Sequence, residues 1–119
     1  MLVTPSGPTV YFDIDNTLVY SVTEFPSVVG SRVEIGGRMW AVEDVHVDAI
    51  KDFSARGHTI ILWSAGGSEW CRSVAEALGI TEYVAACLSK PTWYFDDCLA
   101  DRFMPPNIRY YKGQVVNGS

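Results

Sequence analysis

Asp13 and Asp15 stand one residue apart in Tyr11-Phe12-Asp13-Ile14-Asp15-Asn16-Thr17, where an apolar run gives out. Two neighbouring carboxylates repel, and a bound cation is a common compensation. Taken alone, the segment equally fits an Asp/Asn turn after a strand. It has company. Ser64 ends a second apolar run at Ser64-Ala65-Gly66-Gly67, Lys90 lies in Ser89-Lys90-Pro91, and Asp96-Asp97 closes Thr92-Trp93-Tyr94-Phe95. Carboxylates suit a hard cation, while a hydroxyl and an ammonium suit an anion. Together they are the chemistry of a phosphate held against Mg²⁺, with backbone N–H groups at a helix start as further donors.

The elements that must carry these residues follow from periodicity. Thr9 to Ile14 is a continuous apolar strand, the kind buried in a parallel sheet. Arg32–Ile35, Gly36-Gly37 and Arg38–Val42 alternate around a two-glycine turn and predict a hairpin, with Val33, Ile35, Trp40 and Val42 on one face and Arg32, Glu34 and Met39 on the other. Glu43 to Arg56 carries Val47, Ile50 and Phe53 at helical spacing and stops at Gly57. His58 to Trp63 is a second strand. Ser68 is the expected N-cap of a helix with the stripe Cys71, Val74 and Leu78, ending at Gly79. Tyr83–Leu88, Thr92–Phe95 and Ile108–Tyr111 complete five strands, while residues 1–8 form a loose lead-in. Strands alternating with helices predict an α/β fold with a mostly parallel five-stranded sheet and helices on both faces.

Bulk properties narrow the function. A chain of 119 residues is one domain with a sizeable core, and 48% hydrophobic with 19% charged residues marks it as folded. Its net charge of −5, without a Lys/Arg cluster, does not favour nucleic acid as a partner. Cys71, Cys87 and Cys98 show no C-x-x-C spacing, so buried thiols in a reducing compartment are expected. No segment approaches the roughly 20 apolar residues of a membrane span, and Met1–Pro8 lacks the features of a leader. These features predict a soluble, cytoplasmic protein with no membrane partner.

In order and placement, the four polar segments resemble the motifs of the haloacid dehalogenase superfamily, specifically its aspartate-nucleophile phosphatases. The match is D-x-D-x-T at Asp13–Thr17, an apolar strand ending in a hydroxyl at Ile60–Ser64, the lysine Lys90, and the acidic pair Asp96-Asp97, together covering nearly the whole chain. The resemblance implies a single Rossmann-like (HAD-like) doubly wound domain over residues 1–119. A hairpin flap at about 20–43 follows strand one, and there is no room for a separate cap domain. It implies Asp13 as nucleophile, Asp15 as general acid and then general base, Ser64 as a donor to a phosphoryl oxygen, and Lys90 as its neutralising charge. It implies Mg²⁺ held by Asp13, by Asp15 through its main-chain carbonyl, and by Asp97, with Asp96 as the second choice. Asp101 fits an occasional extra acidic position, or equally a solvated residue. An aspartate at position 15 favours phosphatases and phosphomutases over dehalogenases and transport ATPases. The site should be open, and capless relatives often act on large substrates or borrow cover from another chain.

Alternatives share parts of this pattern. A 3′-phosphatase acting on nucleic-acid ends uses the same chemistry, and a non-catalytic relative could use the flap as an interaction surface. A receiver-type phospho-acceptor domain is disfavoured, because it keeps its adjacent acidic pair after strand one and its acceptor after strand three. His46 and His58 are expected to be structural, and Trp63 and Trp93 to be core. Packing of Trp40 and Met39 against the domain competes with contact to a substrate or partner. Arg32 and Arg38 fit a solvated face, and Tyr110 and Tyr111 a sheet edge or interface.

Overall fold

The computed structural model describes residues 8–104, 108–111 and 114–117. In chain order these residues form β1 (Thr9–Asp13), β2 (Val19–Ser21), β3 (Arg32–Ile35), β4 (Arg38–Val42), α1 (Asp44–Ala55), β5 (Thr59–Ser64), α2 (Ser68–Leu78) and β6 (Ala86–Ser89). Single 3-10 turns lie at Thr81–Tyr83 and Ala100–Arg102, and β7 (Ile108–Tyr111) and β8 (Gln114–Asn117) follow. A parallel sheet runs β1-β5-β6, an antiparallel one β2-β4-β3, and β7 pairs antiparallel with β8.

The parallel sheet is three-stranded among the described residues, against the expected five. Thr92–Phe95 lie outside every strand, and Ile108–Tyr111 form a separate ribbon. The ladder beside β5 ends with the Lys90 N–H donating to the Ser64 carbonyl at 2.9 Å. Pro91 then offers no N–H to continue the ladder. Trp93 is 85% exposed instead of core, because an apolar run is buried only where a partner receives it.

Both helices serve one face of this sheet. The strand order moves steadily from β1 to β5 to β6, and right-handed crossovers then place α1 and α2 on the same side. Burial agrees. Val10, Phe12, Ile60, Leu62 and Cys87 join the core with Val47, Ile50, Cys71 and Val74 from the helices. On the reverse side, Tyr11 is 46% exposed and Leu88 is exposed, with Trp63 half-buried between them. Among the described residues both helices thus lie on one face, where helices on the two faces were expected.

The hairpin forms as its alternation predicts, pairing Val33 with Trp40 and Ile35 with Arg38 across Gly36 and Gly37, both at positive φ. It is docked. Ile35 and Val42 lie in the core, and Trp40 packs on Trp70 of α2 with ring centroids 5.1 Å apart, while Met39 stays exposed. Helix ends follow local chemistry too. Gly79 caps α2 in the left-handed conformation. Its N-cap is Gly67 in place of the expected Ser68, whose N–H is met at 3.1 Å by the Ser89 hydroxyl.

Candidate functional site

Parallel strands end together, and here their carboxyl ends carry the polar residues. Asp13 is the last residue of β1, Ser64 of β5 and Ser89 of β6, and Lys90 follows directly. Register aligns Asp13 with Trp63 and Ser64 with Ser89, so all four stand along one rim of the sheet. Ligands of open α/β sheets gather at such a rim.

Two residues distant in sequence meet there. Lys90 Nζ lies 3.1 Å from Asp13 Oδ1, with both side chains about one-third exposed. The same ammonium stands 5.7 Å from the centre of the Trp63 ring, within reach of a cation–π contact. Trp63 in turn meets Tyr11 edge-on at 4.7 Å. The other Asp13 oxygen accepts a hydrogen bond from the Thr17 hydroxyl at 3.2 Å.

The loop from Asp13 to Val19 is tightly tied. The chain leaves β1 at Ile14, and Ile14 and Leu18 are fully buried beneath the turn. The N–H groups of Thr17, Leu18 and Val19 all point to the Ile14 carbonyl, and Asn16 takes the left-handed conformation at φ 62°. Asparagine tolerates that region better than most residues. Beneath the loop, His46 Nδ1 lies 2.6 Å from the Thr17 carbonyl, with the imidazole 5% exposed. A carbonyl only accepts, so this nitrogen carries the proton. His46 is therefore structural as expected, yet it supports the site loop and does not sit remote from it. Its place four residues before Ile50, on the buried stripe, was the available signal.

Ser64 is buried, and its hydroxyl accepts the Gly66 N–H at 2.9 Å, closing the turn into α2. Asp15 is exposed and takes a hydrogen bond from Trp70 Nε1 at 3.1 Å. Sequence reading did not single out Trp70; its position in the first turn of a helix that starts at the rim was the only hint.

The acidic pair forms a cluster of its own. Asp96, Asp97 and Cys98 are the one group among the described residues with three or more acidic, thiol or imidazole ligand atoms within 4.8 Å of one another. Asp13 and Asp15 stand outside it. Hydrogen bonding with Asp97, then with the Cys98 thiol and N–H, holds Asp96 below the ordinary carboxylate range. Asp101 is exposed in the 3-10 turn beyond. Burial raises the Cys71 and Cys87 thiols, which makes them poor nucleophiles. No known protein family, curated protein or solved structure matches the chain.

Proposed function

We propose that the chain is a Mg²⁺-dependent phosphomonoester hydrolase of the haloacid dehalogenase type, with an open, capless site and an aspartyl-phosphate intermediate on Asp13. The observation that supports it most is the contact of Lys90 Nζ with Asp13 Oδ1 at 3.1 Å, on the rim that also carries Ser64. A lysine so placed aims the carboxylate and offsets the charge of an incoming phosphoryl group.

An Asp13 oxygen attacks phosphorus in line, and the bond to the leaving oxygen breaks as Asp15 gives that oxygen a proton. Asp15 then takes a proton from water, whose oxygen attacks phosphorus. The bond to Asp13 breaks, releasing inorganic phosphate and restoring both groups. Ser64 donates to a phosphoryl oxygen. The oxygens of Asp13, Asp15 and Asp97, with Asp96 as second choice, are donors of the type a hard divalent cation takes. Bound Mg²⁺ supplies positive charge toward the phosphoryl oxygens. Asp97 can join Asp13 if Thr92–Phe95 becomes a strand on the open edge of β1, which is the doubly wound, five-stranded fold this reading carries with it.

The test is hydrolysis of p-nitrophenyl phosphate with and without Mg²⁺, extended to sugar phosphates, nucleotides, phosphopeptides and 3′-phosphorylated oligonucleotides. Turnover should require Mg²⁺ and fall by about a thousandfold or more in Asp13→Asn. Retained activity in that variant, or no turnover of any ester by the native chain, overturns the reading. Preference for the oligonucleotide would identify the nucleic-acid 3′-phosphatase.

A further inference from the structure

Three contacts converge on one side chain that the mechanism above does not use. Trp70 Nε1 reaches Asp15 Oδ1 at 3.1 Å. The ring lies against Trp40 of the hairpin at 5.1 Å and packs on the core. A Cβ at Gly66 would stand 3.2 Å from Trp70 Cδ1 and 3.3 Å from the Ser64 hydroxyl, so the turn after β5 closes on the ring. Arg38 lies over the Trp40 ring at 5.3 Å and reaches the Ser21 hydroxyl at 3.3 Å.

Asp15 itself is exposed, and an exposed carboxylate normally samples several rotamers. Its partner does not share that freedom. Trp70 is fixed by the helix it belongs to, by Trp40 on one flank and by the backbone at Gly66. A donor held by rigid elements can hold an acceptor that is not.

We infer that Trp70 is the positioning residue for Asp15: its indole N–H holds the carboxylate in one orientation at the rim, and the hairpin braces the indole through Trp40. The inference rests on the hydrolase reading for its consequence but not for its geometry. In the first step Asp15 passes its proton to the leaving oxygen while the phosphorus–Asp13 bond forms. Misorienting it penalises esters whose leaving oxygen needs that proton and spares those whose leaving group departs as a stable anion.

The experiment compares Trp70→Phe with the native chain on an alkyl phosphate and on p-nitrophenyl phosphate, alongside indole N–H exchange by NMR. In Trp70→Phe, kcat/KM for the alkyl ester should fall by about tenfold or more, and that for p-nitrophenyl phosphate by less than about threefold. Equal losses on both esters, or no loss, overturn the inference. In the native chain the Trp70 indole proton should be protected from exchange, and Asp15→Ala, which removes the acceptor, should expose it. An indole proton indifferent to Asp15 also overturns it, and this readout needs no turnover. A native chain inactive on every ester therefore sinks the hydrolase reading separately from the hydrogen bond.

Discussion

Lys90 and Asp13 are joined by a 3.1 Å ion pair although 77 positions of chain separate them (90 − 13), and the pair bridges the ends of the two outer strands of the parallel sheet. Each side chain remains about one-third exposed, so solvent screens the pair and its share of fold stability is small, of the order of 0–1 kcal/mol. Its value is positional. Lys90→Met should leave the urea midpoint nearly unchanged yet lower kcat/KM for p-nitrophenyl phosphate by about a hundredfold. A large loss of stability with full turnover would reverse that assignment.

His46→Phe should do the opposite. The ring keeps its place in the core, but the Thr17 carbonyl loses the donor held at 2.6 Å. An unmet buried partner costs about 1–3 kcal/mol, read as a lower urea midpoint with unchanged slope. His46→Gln, which carries a donor of similar reach, should recover part of it.

The Cys71 and Cys87 thiols, buried and half-buried, set an alkaline limit. Burial raises Cys71 and Cys87 in the folded chain, so the unfolded chain releases their protons first as pH climbs. Their contribution is fully present below the ordinary thiol value, about 8.5, and fades as pH rises through the higher folded value. Stability should decline above about pH 8.5, and the doubly substituted Cys71→Ala, Cys87→Ala chain should show a shallower decline in urea titrations at several pH values.

Residues 92–97 should respond to Mg²⁺ if Asp97 joins Asp13. Hydrogen exchange followed by mass spectrometry should show these amides slowing by about tenfold or more when Mg²⁺ and vanadate are added to the native chain, but not to Asp97→Asn. Unchanged exchange in the native chain would remove Asp97 from the proposed metal ligands.

What could be seen in the chain beforehand was local. Gly36-Gly37 between alternating runs, and Gly57 and Gly79 after helical stripes, announce their own turns and stops, because φ > 0 is a property of the residue. The strand ends at Asp13 and Ser64 were legible because each apolar run meets polar residues there. Thr92–Phe95 misled for the complementary reason. Its composition suits a strand, but composition does not supply a pairing partner, and no described strand pairs with it. The one-sided placement of α1 and α2 depends on strand order, which no single segment encodes. Trp70 and His46 escaped notice as supports because their partners, Asp15 and Thr17, lie 55 and 29 positions away.

The exposed side chains on the reverse side of the parallel sheet also bear on how the molecule behaves in bulk. Tyr11 and Leu88 there, together with Trp93 and Phe95, present oily surface to water, and a net charge of −5 keeps neighbouring molecules apart. Near the isoelectric point, about pH 4.8, that repulsion vanishes and the exposed apolar side chains of neighbouring molecules can meet. Acidic buffers near that value should then cloud its solutions.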